Sequence, residues 1–300
     1  MDKKKLWSAT KLLLKIVITC LSLYFVFKKV AIKDVQEAFT RSNPLYLVIA
    51  FLFFVSSQIV SSSRLNSFFK GINLQISEVY NFKIYLLGMF YNLFLPGGIG
   101  GDGYKIFLLR KKFDIKGRKL FQAIFFDRLS GLWALTLILS VLVIFIPRFE
   151  IPQWLPILAV SVGSVIYYFV MKKLFSEFSS NFFITHLKAI LVQSLQLICV
   201  IFLLYALHFN GKFSPYLLMF LLSSLVAIFP FTMGGLGARE VVFLYGAEQF
   251  NMDAHVAVLI SLLFYCTSAI LSFTGLYFVM NSSKLKEVGS LDEDLKAEVA

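Results

Sequence analysis

Charge is scarce in this sequence. Asp, Glu, Lys and Arg make up 15% of the chain, where a soluble domain carries about a quarter. Cysteine is scarcer still. Cys20, Cys199 and Cys266 are odd in number, lack CxxC spacing and fall inside apolar stretches, which excludes a disulfide framework and leaves them as packing residues. The three histidines, His186, His208 and His255, show no ligand spacing, so no metal is expected. No serine or cysteine nucleophile pattern is present, and the chain is expected to be neither an enzyme nor the holder of a cofactor. The polar alternation of a lipid-facing barrel strand is missing as well, which leaves helices.

What is present is apolar material. The 300 residues are 58% hydrophobic, include 34 Phe, and have a mean hydropathy of +0.78. Apolar runs separated by short polar links extend along the whole length, the pattern of membrane spans and not of one buried core. Six runs are long enough to cross: Leu12 to Phe27, Leu45 to Val60, Gly131 to Ile146, Leu155 to Met171, Ala189 to Leu207 and Val256 to Met280. The first follows Lys3, Lys4 and Lys5, carries Lys15 and has no A-x-A site after it, so it is expected to be a retained helix and not a signal peptide.

Two further runs, Phe82 to Leu95 and Tyr216 to Phe229, are shorter. About 14 residues at about 1.5 Å each reach roughly 21 Å, against a hydrocarbon core of about 30 Å. Each leads into a glycine-rich break, Pro96-Gly97-Gly98-Ile99-Gly100-Gly101-Asp102 and Pro230-Phe231-Thr232-Met233-Gly234-Gly235-Leu236-Gly237, with a second helical stretch beyond. Flanking charge separates a broken span from a hairpin, because Lys and Arg gather on the cytoplasmic side. Arg64, Lys70 and Lys83 precede the first break, and Arg110, Lys111, Lys112, Lys116, Arg118 and Lys119 follow it, so both of its ends read as cytoplasmic. Lys212 alone precedes the second, and Gly246 to Asp253 holds no Lys or Arg, so both of its ends read as external.

The fold expected is therefore all-α: six spanning helices and two re-entrant hairpins, about eight membrane segments, multi-pass with both termini cytoplasmic. Lys28, Lys29, Lys33 and Arg41 fall in an external loop on this topology and run against it. Residues 1–280 form one membrane domain, with inverted halves of about 1–150 and 151–280, and 281–300 an acidic cytoplasmic tail expected to be disordered. Gly97 to Asp102 aligns with Gly234 to Arg239 at an offset of 137, and Gln58 falls opposite Gln196.

The net charge of +12 lies at the ends of apolar runs, where it meets anionic headgroups; nucleic acid is not an expected partner. Gly98 to Gly103 matches the G-x-G-x-x-G dinucleotide fingerprint, but no strand precedes it and no βαβ unit surrounds it, so nucleotide binding is rejected. The glycines serve either close helix packing or a turn of backbone inside the membrane, where freed amides at a helix N-terminus suit a phosphate. Asp102, Asp127, Arg128, Arg239 and Glu240 are ionisable groups at or beside apolar runs, and such groups pair or line a pathway. An Asp102–Arg239 pair across the breaks and a helix-end cap at Asp127-Arg128 are the structural alternatives to a cavity. Ser56 to Arg64 and Gln193 to Gln196 place polar patches that either bond other helices or line a wet groove.

Asn92 through Asp102, then Asp127-Arg128 and Gly131, then Pro230 with Gly234-Gly235-Leu236-Gly237-Ala238-Arg239-Glu240, resemble the lysylphosphatidylglycerol synthase transmembrane family, also called the flippase-like domain family. The likeness runs from the first span to about Met280, and Arg64 stands where the family has an arginine after its second helix. The resemblance implies a translocation module, since in two-part members this unit is thought to move an aminoacylated phospholipid between leaflets while a soluble domain attaches the amino acid. That soluble half is not expected here.

The expected ligand is a membrane lipid with an anionic or phosphate-containing headgroup, a phospholipid or a polyprenyl-phosphate lipid. The expected contacts are Asn92, Pro96, Gly97, Gly98, Gly100, Gly101, Asp102, Asp127, Arg128, Pro230, Gly234, Gly235, Gly237, Arg239, Glu240 and Arg64. A glycan- or lipid-modifying enzyme and a second copy of the chain are further candidate partners. A scaffolding subunit, or a transferase using Asp102 or Asp127 as a base, are the alternatives.

Overall fold

The computed structural model describes residues 24, 33, 36–37, 40–94, 100–144, 152, 154–228, 236–281 and 285. Regular structure among them is helical throughout: α1 (Pro44–Gly71), α2 (Glu78–Phe94), α3 (Gly100–Phe113), α4 (Gly117–Ile144), α5 (Trp154–Leu174), α6 (Ser176–Ser179), α7 (Phe182–Ala206), α8 (Ser214–Ala227), α9 (Ala238–Phe250) and α10 (Ala254–Met280). Five of these, α1, α4, α5, α7 and α10, are long and apolar enough to cross a membrane. They match five of the six expected spans; the run from Leu12 to Phe27 lies outside the described residues, as does the tail from 286.

The surface identifies the solvent. On α5, Ile157, Leu158, Val162, Val165, Ile166 and Phe169 all face outward, Phe169 with 62% of its area exposed. A helix apolar on its outer faces loses stability in water and is at home in lipid. The chain is a multi-pass membrane protein.

Two helices run well past the apolar stretches that announce them. α1 continues from Val60 through Ser61, Ser62, Ser63 and Arg64 to Gly71, and α4 begins at Gly117, before the apolar run opening at Gly131. Polar residues do not interrupt a helix when their side chains find partners, because backbone hydrogen bonding is indifferent to them.

The chain divides into two compact units, one of Met1–Phe54, Asn92–Gly100 and Gln196–Ala269, the other of Val55–Tyr91, Gly101–Leu195 and Ile270–Ala300. The second unit is organised around Phe68, Phe69, Leu87, Leu109, Leu120, Phe126 and Phe178, all buried together. In the first, Phe54 meets Phe264 edge-on at 5.4 Å between ring centroids, and Phe264 in turn meets Phe220 at 4.7 Å.

Candidate functional site

In the second unit, α2 and α3 lie antiparallel. Gly88 faces Gly101, the Lys105 Nζ lies 5.2 Å from the Tyr85 ring, and Lys112 lies 4.6 Å from the Tyr80 ring. As position rises along α3 it falls along α2. A Cβ at Gly101 would land on the Gly88 carbonyl, so the approach of the two backbones depends on glycine at that point.

Asp102, in the first turn of α3, is buried. Its Oδ1 receives the Lys105 ammonium at 2.8 Å. Its Oδ2 accepts the Arg128 Nε–H at 2.6 Å and is also paired with Nη2 of that arginine. Next along α4, Asp127 accepts the Arg64 Nε–H at 2.7 Å, with both side chains buried. Consecutive residues of α4 thus tie that helix to α1 and to α3. Gly131, one turn beyond Asp127, makes room for the guanidinium, since a Cβ there would stand 3.2 Å from Arg64 Nη1. The Arg128 side chain, by contrast, is 45% exposed, which leaves a cation at the surface of a buried network.

The polar patch on α1 is spent on other helices. The Tyr85 hydroxyl donates to Ser61 Oγ at 2.9 Å and lies 3.2 Å from Gln58 Oε1. Asn81 Nδ2 donates to the Ser62 carbonyl and hydroxyl. Lys188 of α7 donates to Ser63 and Ser67.

In the first unit, α8 and α9 pack closely and antiparallel. Gly246 meets Met219, and the Asp253 N–H, just beyond α9, donates to the Tyr216 hydroxyl at 3.1 Å near the start of α8. Gly237, the residue before α9, has φ of 85°, in the region that favours glycine. Its N–H donates to Glu240 Oε2 at 2.6 Å, and the Ser261 hydroxyl of α10 donates to Oε1 at 2.8 Å. Glu240 is fully buried. The Arg239 guanidinium lies over the rings of Phe264 and Phe220, at 5.2 and 6.0 Å, an arrangement that holds a cation without neutralising it.

α3 and α9 therefore begin alike, with a carboxylate in the first turn and buried. The residues named from sequence gather around them in two groups: Arg64, Gly101, Asp102, Asp127 and Arg128 in one unit, and Gly237, Arg239 and Glu240 in the other. Gly100 opens α3 and Asn92 sits near the end of α2. Pro96, Gly97, Gly98, Pro230, Gly234 and Gly235 lie outside the described residues. The alternatives weighed from sequence resolve locally: Asp102 is held by Lys105 and Arg128, while Asp127 and Arg128 sit inside α4 and not at its end.

Sequence reasoning passed over Lys105, Gly88 and Ser261. Lys105 was within reach, standing three residues after Asp102 on a helix; nothing local marks the other two.

A family model described as lysylphosphatidylglycerol synthase TM region matches residues 12–183 and 178–275. A phosphatidylglycerol lysyltransferase of Staphylococcus haemolyticus (strain JCSC1435) is 27% identical over 253 residues, 81% of this chain and 30% of that protein. The chain thus covers well under half the length of this relative.

Proposed function

The chain belongs to the lysylphosphatidylglycerol synthase TM region family, and on that premise we propose that it moves a lipid with a phosphate-containing head between the leaflets of the cytoplasmic membrane. The observation that carries this reading is the placement of a buried carboxylate, Asp102 and Glu240, in the first turn of each of two helices too short to cross. α3 has 14 residues and α9 has 13, which at about 1.5 Å per residue reach roughly 20 Å. Each is folded back along its predecessor, so both ends of each pair belong on one side and the pair re-enters the membrane. Backbone of this kind survives at depth only where it is enclosed by protein or faces water.

The order of elements supports inverted halves: the expected first span, α1, the α2–α3 pair and α4, then α5, α7, the α8–α9 pair and α10. Such halves house substrate near the midplane in many transporters. The basic flank of the first pair favours its entry from the cytoplasm. The role given to the protein is positional and electrostatic. Arg128, 45% exposed at the edge of its buried network, offers positive charge to the head, and no covalent step is involved.

The test is reconstitution into proteoliposomes with fluorescent phospholipids and a short-chain polyprenyl-phosphate lipid, comparing wild type with Arg239→Ala and Asp102→Ala. Arg239→Ala removes a charged contact to the head worth about 1.5–3 kcal/mol, and Asp102→Ala releases Lys105 and Arg128 from their anchor; movement slows by about tenfold or more in each variant, with protein still in the membrane. Unchanged movement in both variants would remove the role assigned to the breaks. A scaffolding role is the second reading. Wild type that moves no lipid but co-purifies with a lipid- or glycan-modifying enzyme would establish that role instead.

A further inference from the structure

The two buried carboxylates differ in what surrounds them. Asp102 is held by Lys105 and Arg128, which donate and never accept. Only the ionised carboxylate satisfies them. Glu240 is held by the Gly237 N–H and the Ser261 hydroxyl, both neutral. A serine hydroxyl is reversible: it donates to a carboxylate, and it accepts from a carboxylic acid while turning its own hydrogen to the helix carbonyl four residues back. The site can therefore hold Glu240 in either state. When a proton adds to Oε1, that oxygen donates to Ser261 and Oε2 goes on accepting from Gly237, with no backbone movement.

Few charged or titratable groups surround Glu240. On its own helix there is Arg239, whose guanidinium lies against Phe264 and Phe220 and whose charge favours the anion without pairing with it; among the described residues no cation stands within ion-pair distance of the Glu240 carboxylate. On α10 there are Tyr265 and Cys266, neither of which carries charge near neutral pH. The titratable group of α8, Tyr216, is engaged at the far end of that helix with the Asp253 N–H. A fully buried carboxyl with neutral partners inside a membrane protein is costly as an anion and marks a proton-handling position.

We propose that Glu240 is a proton-binding site, with Ser261 as its switching partner, and that the proton it takes up is the coupling ion of the translocator. The coupling clause rests on the translocation reading; the proton-binding clause does not, and the experiment separates them.

Infrared difference spectra of the purified protein, recorded as pH is lowered, show a protonated carboxylic acid band that is lost in Glu240→Gln and retained in Asp102→Asn. The Gln variant keeps an acceptor for Gly237 and a partner for Ser261, so it preserves the local structure. Ser261→Ala removes a donor that stabilises the anion, and the band then appears at higher pH. A band unchanged in Glu240→Gln overturns the proposal, as does a pH midpoint unmoved by Ser261→Ala. In proteoliposomes where wild type moves lipid, a pH gradient changes its rate at least twofold and leaves Glu240→Gln unresponsive. A wild-type rate that follows a sodium gradient and ignores a proton gradient overturns the coupling clause, whereas no movement by wild type at all counts against translocation itself.

Discussion

Arg64 and Asp127 illustrate what a charge in a membrane helix requires. Neither is tolerable alone in a low-dielectric surround, and each removes the cost of the other through a hydrogen bond of 2.7 Å. Arg64→Ala leaves Asp127 buried without its cation, and destabilisation of about 3–5 kcal/mol is expected. Thermal unfolding in detergent reads it, and the double variant Arg64→Ala, Asp127→Ala should recover part of the loss. A single variant that melts with wild type would mean that the pair contributes nothing to stability. That both residues matter was legible from their position at apolar runs. That they meet was not, because 63 residues separate them and nothing in a local window records a partner that distant.

At the scale of the element, the short helix pairs depend on how closely two backbones approach. Gly101 and Gly103 lie two residues apart on α3 and predict opposite results. A Cβ at Gly101 meets the backbone carbonyl of Gly88, which cannot rotate aside, while a Cβ at Gly103 meets nothing within 4 Å. Gly101→Ala is expected to lower the yield of monodisperse protein on size-exclusion chromatography. Gly103→Ala is expected to leave it unchanged and to gain about 0.5–1 kcal/mol from helix propensity. Equal behaviour of the two variants would argue against close packing of α2 on α3. The glycine-rich break could be located in the sequence, yet Gly88, the residue Gly101 packs against, stands outside it with nothing to distinguish it from an ordinary helix glycine.

For the whole molecule, the proposed inverted arrangement makes a prediction about sides. In a background with Cys20, Cys199 and Cys266 replaced by alanine, Lys116→Cys is expected to react with a membrane-impermeant thiol reagent only from the cytoplasmic face. Asn251→Cys is expected to react only from outside. Labelling of both from one side would exclude opposed hairpins and, with them, the inverted halves.

The sequence by itself determined that the protein is helical, lies in a membrane, crosses it with runs at identifiable places, and carries two shorter apolar runs that lead into glycine-rich stretches. These follow from hydropathy, length and charge, which are summed along neighbouring residues and need no knowledge of distant ones. The tertiary structure decided what each charge is paired with. Asp102 and Glu240 look equivalent in the sequence, each a carboxylate just after a glycine motif, but one is enclosed by two cations and the other by an amide and a hydroxyl. Partners on α4 and α10, supplied from far along the chain, separate a group held ionised from one able to exchange a proton.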